Sequence, residues 1–185
     1  MTARIKPVTE PYPANVQAVF DRLPRSWMPP FGLFTTLARH GELFERFIRG
    51  APGYLPGTRV SVRQREVLLL RVTARCGCDY EWGMRVHYFA DDAGLTAEQI
   101  DATVRGHADS RCWTGEDAIL IRLADELHDT CSISDDLWTA LRTLSSDEAI
   151  LELVVMAGYY RTVAYLARGL RLPPEPNVSR PFPAV

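Results

Sequence analysis

Cys76-Gly77-Cys78-Asp79-Tyr80-Glu81-Trp82, with Arg85 and His87 just beyond, puts two thiols, two carboxylates, a phenol, an indole, a guanidinium and an imidazole into one short segment. Glu66 stands twelve positions before Cys78, among Val67, Leu68, Leu69 and Leu70. Three kinds of chemistry fit these types. A thiolate attacks peroxides or disulfides, a carboxylate or imidazole moves protons, and a guanidinium holds a carboxylate. Cysteines two apart can close a strained, easily reduced bond, and a helix N-terminus at Cys78 favours thiolate. The same pair also reads as Cys76 closing one helix as a small apolar residue and Cys78 as an inert thiol. Glu66 is costly in an apolar run unless it faces a site, as a base or proton relay, or a cation such as Arg71. His87 can exchange a proton near neutral pH or serve as a hydrogen-bonded interface residue. Tyr80 and Trp82 offer an apolar wall over a substrate, or core packing.

If Cys78 begins a helix, a turn of about 100° per residue puts Cys78, Glu81, Trp82 and Arg85 on one face. His87 falls about 180° from Cys78, beside Tyr80 and Met84. Glu81 and Arg85 are four apart in the favoured order, a pair worth ~0.2–0.5 kcal/mol if exposed. If that pair lines a closed pocket with Glu66, one carboxylate is fixed as charged and the other is free to act as a base.

Helices must position these groups. Ala14 to Leu23 forms one, stopping before Pro24, and Trp27-Met28-Pro29-Pro30 breaks the chain. Phe34, Leu37, Leu43, Phe44 and Phe47 recur at helical spacing over 31–48, with a break at Gly41. The segment 51–57 is a loop by its prolines and glycines. Ser61 and Gln64 match a capping box for a helix to Arg75, and the cysteine segment makes the turn into a second helix over 80–92. Thr96-Ala97-Glu98-Gln99 caps a short helix to Arg105, and Thr114 or Gly115 opens a longer one with Leu120, Leu123, Ala124, Leu127 and Cys131 on one face. Ser134 caps a helix carrying Leu137, Trp138, Leu141 and Leu144; Ser146 opens the last, through Leu166. Tyr159, Tyr160 and Arg161 on it either complete a pocket or pack at an interface. No strand-like alternation competes, so the fold class is all-α.

The 185 residues, 46% hydrophobic, suit a single domain over 1–185 with extended arms at 1–12 and 173–185. The net charge of −2 and scattered basic residues argue against nucleic acid and anionic membranes as partners. With no apolar run of the ~18–20 residues that span a bilayer and no signal-like N-terminus, no membrane partner is expected and the location expected is cytoplasmic. Four cysteines are too few for a disulfide scaffold. Cys112, Cys131, His107 and His128 lack paired spacing with the cysteine segment, and His128 among Asp125, Glu126 and Asp129 reads as a solvated helix end; neither metal nor cofactor is expected.

Arg65-Glu66, Leu68-Leu69-Leu70-Arg71, Cys78-Asp79-Tyr80-Glu81-Trp82 and Ala93-Gly94-Leu95-Thr96 together resemble the carboxymuconolactone decarboxylase family, which includes the alkyl hydroperoxidase D-like proteins. Ala124 to Thr130, Leu137-Trp138 and Glu152 to Tyr160 are similar to the C-terminal half of one branch, so the likeness runs from Arg4 to Pro183. The resemblance implies a helical fold around an antiparallel helix pair, and homo-oligomers (dimers, trimers or hexamers). It also implies, in the hydroperoxidase branch, a Glu twelve residues before a Cys-x-x-Cys pair and a His four after the second Cys. Glu66 and Cys78 match the Glu and the first Cys. Glu81 stands in place of the second Cys and Arg85 in place of the His.

Three functions are open to such a chain. The first is a decarboxylase-like enzyme acting on a small-molecule carboxylate or lactone, with Glu66 and His87 moving protons, Arg85 holding the substrate, and Tyr80, Glu81 and Trp82 lining the site. The second is a thiol peroxidase or disulfide reductase using Cys78, with Cys76 as an unconventional resolving thiol. The third is a non-catalytic helical oligomer with a decayed site.

Overall fold

The computed structural model describes residues 3–50, 59–176, 178 and 180–183, so the loop expected at 51–57 lies outside the described residues. The helices among them are α1 (Ala14–Phe20), α2 (Gly32–Leu37), α3 (Gly41–Gly50), α4 (Val62–Arg75), α5 (Asp79–Phe89), α6 (Ala97–Arg105), α7 (Gly115–Thr130), α8 (Asp135–Leu144) and α9 (Asp147–Gly169). A single 3₁₀ turn at Arg25–Trp27, not foreseen from the sequence, bridges α1 and α2.

Side-chain caps fix where these helices start. Ser61 Oγ accepts from Gln64 N at 3.2 Å while Ser61 N donates to Gln64 Oε1 at 2.8 Å. Thr96 with Gln99 and Thr114 with Asp117 close the same reciprocal box. Each box satisfies two of the four N–H groups that a helix start leaves unpaired.

α4 is the central element, packed against α5, α6, α7 and α9. Val67 through Leu70 are fully buried along it. Its end is a Schellman turn: Gly77 N donates to Ala74 O and Cys78 N to Thr73 O, with Gly77 at φ +63. The turn sends the chain back along α4 as α5, and it separates the two thiols. Cys76 is half-buried, whereas Cys78 is sealed in the core.

α7 lies alongside α4 in the same direction. Arg63 reaches Asp117, Arg71 reaches Asp125 and Arg75 reaches Asp129, each pair 54 residues apart, a constant offset that only parallel helices give. This corrects the suggestion that Arg71 partners Glu66. Arg71 is bidentate on Asp125 at 2.7 and 3.0 Å and also donates to Thr103 O and Gly106 O.

α9 is 23 residues long and holds an 18-residue window of mean hydropathy 1.3, enough by length and composition to cross a membrane, which the expectation of no membrane-spanning run had not foreseen. Its inner face is nevertheless core: Leu153, Met156, Ala157, Tyr160, Val163 and Ala164 are buried. Trp138 and Leu144 on α8 are exposed rather than packed, and Cys131, expected on the apolar face of α7, is exposed at φ +55 just past the helix end.

The arms lie on this body. Arg4 N donates to Leu170 O and Val8 N to Thr35 O. The C-terminal arm crosses α5, where Phe182 meets Trp82 edge-on at 5.3 Å. Gly83 makes that crossing possible, because a Cβ there would overlap the Arg180 backbone.

Candidate functional site

Glu66 sits on the second turn of α4 and Arg85 on the second turn of α5, so the reversed chain direction brings them face to face. Arg85 Nε and Nη2 donate to the two Glu66 oxygens at 2.8 and 2.6 Å. Arg65 Nε adds a third bond to Glu66 Oε1 at 2.7 Å. Glu66 is wholly buried and Arg65 and Arg85 nearly so. Both oxygens of Glu66 are therefore taken, and neither is presented to a substrate.

Arg85 is also held by its faces, with Phe89 at 5.1 Å on one ring contact and Tyr160 at 4.5 Å on another. Its remaining nitrogen, Nη1, makes a long 3.4 Å contact to Glu81 Oε1. Burial drives the Glu81 carboxyl up, Arg85 pulls it back, and the nearby Glu66 charge pushes it up again, leaving it at about 7. Of the two carboxyl groups at the site, one is locked and the other is poised to exchange a proton near neutrality.

Glu81 and Arg85 open onto a cavity of ≈ 70 Å³ whose wall is mostly aromatic, including Trp27, Phe31, Tyr88, Phe89 and Tyr160. At ~30 Å³ per water that is room for about two waters. α2 and the 3₁₀ turn supply one side and α9 the other. Tyr80 shares the wall, and its hydroxyl is anchored by donating to Glu175 on the C-terminal arm and accepting from Leu33 N at 3.2 Å. Burial, then the Glu175 charge, raises the Tyr80 phenol far above its ordinary value, so it is a fixed neutral hydroxyl.

The other candidates lie elsewhere. Cys78 is fully buried, and burial pushes its thiol up to about 12, with a backbone hydrogen bond at Glu81 only partly opposing this. Trp82 is not part of the cavity wall; its Nε1 donates to Thr103 Oγ1 at 2.9 Å inside the core. His87 is exposed, two positions and about 200° around α5 from Arg85, and is not among the cavity residues. Cys76 opens into a separate groove with His128 and Arg161. Among the described residues no His, Cys, Asp and Glu cluster is set to hold a metal.

Arg65 and Phe89 were missed in the sequence. The available signal was an arginine directly beside a glutamate in an otherwise apolar run, where each charge needs the other.

No family model matches the sequence, and no curated protein matches it. Among solved structures the chain is similar to an uncharacterized peroxidase-related protein from Silicibacter sp. TM1040, with a TM-score of 0.76 and 15% identity over 98% of this chain and 96% of that one. At that identity the likeness is one of architecture: the chain shares the all-helical fold of that protein.

Proposed function

We propose that the chain is a small-molecule enzyme of the carboxymuconolactone decarboxylase-like kind, acting by proton transfer on a small carboxylate or lactone. The observation that carries this reading is the division of labour between the two glutamates. Glu66, with Arg65, pins the Arg85 guanidinium in one pose. Glu81 faces the cavity with a carboxyl raised to about 7 and is the proton carrier. Glu66, the proton carrier expected from the sequence, has both oxygens occupied and acts as a positioning residue instead.

Loss of carbon dioxide leaves electrons that need a cation nearby and an acid to protonate the carbon. Arg85 Nη1 supplies the cation, being the guanidinium nitrogen least committed to Glu66. A protonated Glu81 supplies the acid, and the aromatic wall keeps water scarce around it, which strengthens both interactions. Lactone opening uses the same pair in the other protonation state, with ionised Glu81 as the base.

The thiol alternative asks more of the geometry. Cys78 would have to ionise against a value of about 12, and Cys76 faces a different groove. Small β-keto acids and lactones assayed for carbon dioxide release or ring loss should be turned over by wild-type protein. Glu81→Gln should lower turnover by about 10²–10⁴-fold, and Cys78→Ser should leave it within about twofold. Full activity in Glu81→Gln would sink the proton-transfer reading. Thiol-dependent hydroperoxide consumption lost in Cys78→Ser would put the peroxidase in its place.

A further inference from the structure

A second set of reactive groups gathers on a different face of α9, between the C-terminal ends of α4 and α7. Two adjoining grooves of ≈ 390 and ≈ 490 Å³ share Cys76, His128, Arg161 and Tyr165 in their walls. Leu127, Val154 and Ala157 contribute an apolar floor, and Arg75 and Arg168 join Arg161 in a cationic rim. Neither groove shares a lining residue with the Glu81 cavity, so the chemistry of this face is independent of proton transfer at Glu81.

The rim charge is only partly spent. Arg75 is paired with Asp125 and Asp129. Arg161 donates to Tyr165 Oη and to the Leu127 and His128 carbonyls, and Arg168 donates to the Cys76 carbonyl at 2.7 Å. Among the described residues no carboxylate bridges to Arg161 or Arg168. Burial raises the Cys76 thiol above its ordinary value, an effect that Arg161, Arg168 and Arg75 offset only in part. Burial, with Arg75 and Arg161, lowers His128 below its ordinary value, so its imidazole is neutral at pH 7.

We propose that this groove binds a small organic anion carrying a disulfide, with the apolar floor taking its body and Arg161 and Arg168 its charge, and that Cys76 exchanges with it. The Cys76 thiol gives its proton to solvent and its sulfur attacks one ligand sulfur. The ligand S–S bond breaks as the Cys76–ligand mixed disulfide forms. The departing thiolate takes up a proton from solvent and leaves as a free thiol. The ligand disulfide is the oxidant, and one thiol is released for each Cys76 modified.

Two disulfide probes test this on the wild-type protein: dithiobis(nitrobenzoate), a dianion, and dithiodipyridine, which is neutral. Thiol release gives the rate, and peptide mapping gives the site. Cys76 should react with the anionic probe in the folded protein, and the anionic-to-neutral rate ratio at Cys76 should fall about tenfold in the Arg161→Gln/Arg168→Gln double variant. Raising salt from low to high should lower the same ratio in wild-type protein, a measurement that survives if the double variant misfolds. Modification confined to Cys112 or Cys131, or a ratio indifferent to both the substitutions and the salt, overturns the proposal.

Discussion

Two sets of arginine–carboxylate pairs lie against α4, and they do opposite things. On the α7 side each aspartate has an arginine of its own, Arg63 for Asp117, Arg71 for Asp125 and Arg75 for Asp129, with Arg75 also reaching Asp125 at 3.4 Å. Asp117 shows the result, since burial pushes its carboxyl up but the Arg63 and Thr114 hydrogen bonds more than compensate and hold it below the usual value. On the α5 side two arginines and two glutamates share one buried cluster, and Glu66 takes three of its four contacts. Glu81 receives a single long one and is raised instead of lowered. The same kinds of functional group thus make a structural seam where every charge has its own partner, and a reactive site where one carboxyl is left short.

Removing the shared carboxylate breaks the comparison most severely. Glu66→Gln strands two buried guanidiniums, and should cost about 3–5 kcal/mol in urea or thermal unfolding. A loss below ~1 kcal/mol would mean that water already reaches the cluster. Next in size is the pH dependence of Glu81. Its folded value of about 7 lies above the 4.5 of an ordinary glutamate, so the folded chain holds a proton that the unfolded chain has released. Stability from this group is therefore full below about pH 4.5, falls as pH rises toward 7, and is flat above. Glu81→Gln should remove that descending limb and gain stability at about pH 8 relative to about pH 5; an unchanged pH profile of unfolding would show the carboxyl is not raised. The smallest effect belongs to the exposed end of the seam. Asp129→Asn, losing a pair in which Asp129 is 57% exposed, should cost less than ~1 kcal/mol. A larger cost would mean that the seam works as a coupled unit.

Most of the helices could be read from local signals. Ser61, Thr96, Thr114, Ser134 and Ser146 each cap the helix expected of them. Helical rotation alone put Glu81 and Arg85 on one side of α5, where both line the cavity, and His87 away from them. What a neighbouring helix contributes was not legible. The roles of Glu66 and Glu81 depend on Arg65 turning inward as well as Arg85, and the true partner of Arg71 is 54 positions away on a parallel helix. Trp82 sits on the correct face, but Thr103 on α6 and Phe182 on the arm claim it for the core. The cavity's aromatic wall draws on Trp27 and Phe31, whose approach to α5 is set by a 3₁₀ turn that no periodicity announces.

The seating of the C-terminal arm has a consequence for how this molecule can vary. Arg180 touches α5 through backbone atoms, at the one helical position without a side chain there. The arm's resting place is therefore specified at residue 83 more than by the arm's own letters. Substitutions along the arm can accumulate while the backbone keeps its track, whereas a single methyl group at position 83 displaces the whole strap and, with it, the Glu175 that steadies Tyr80.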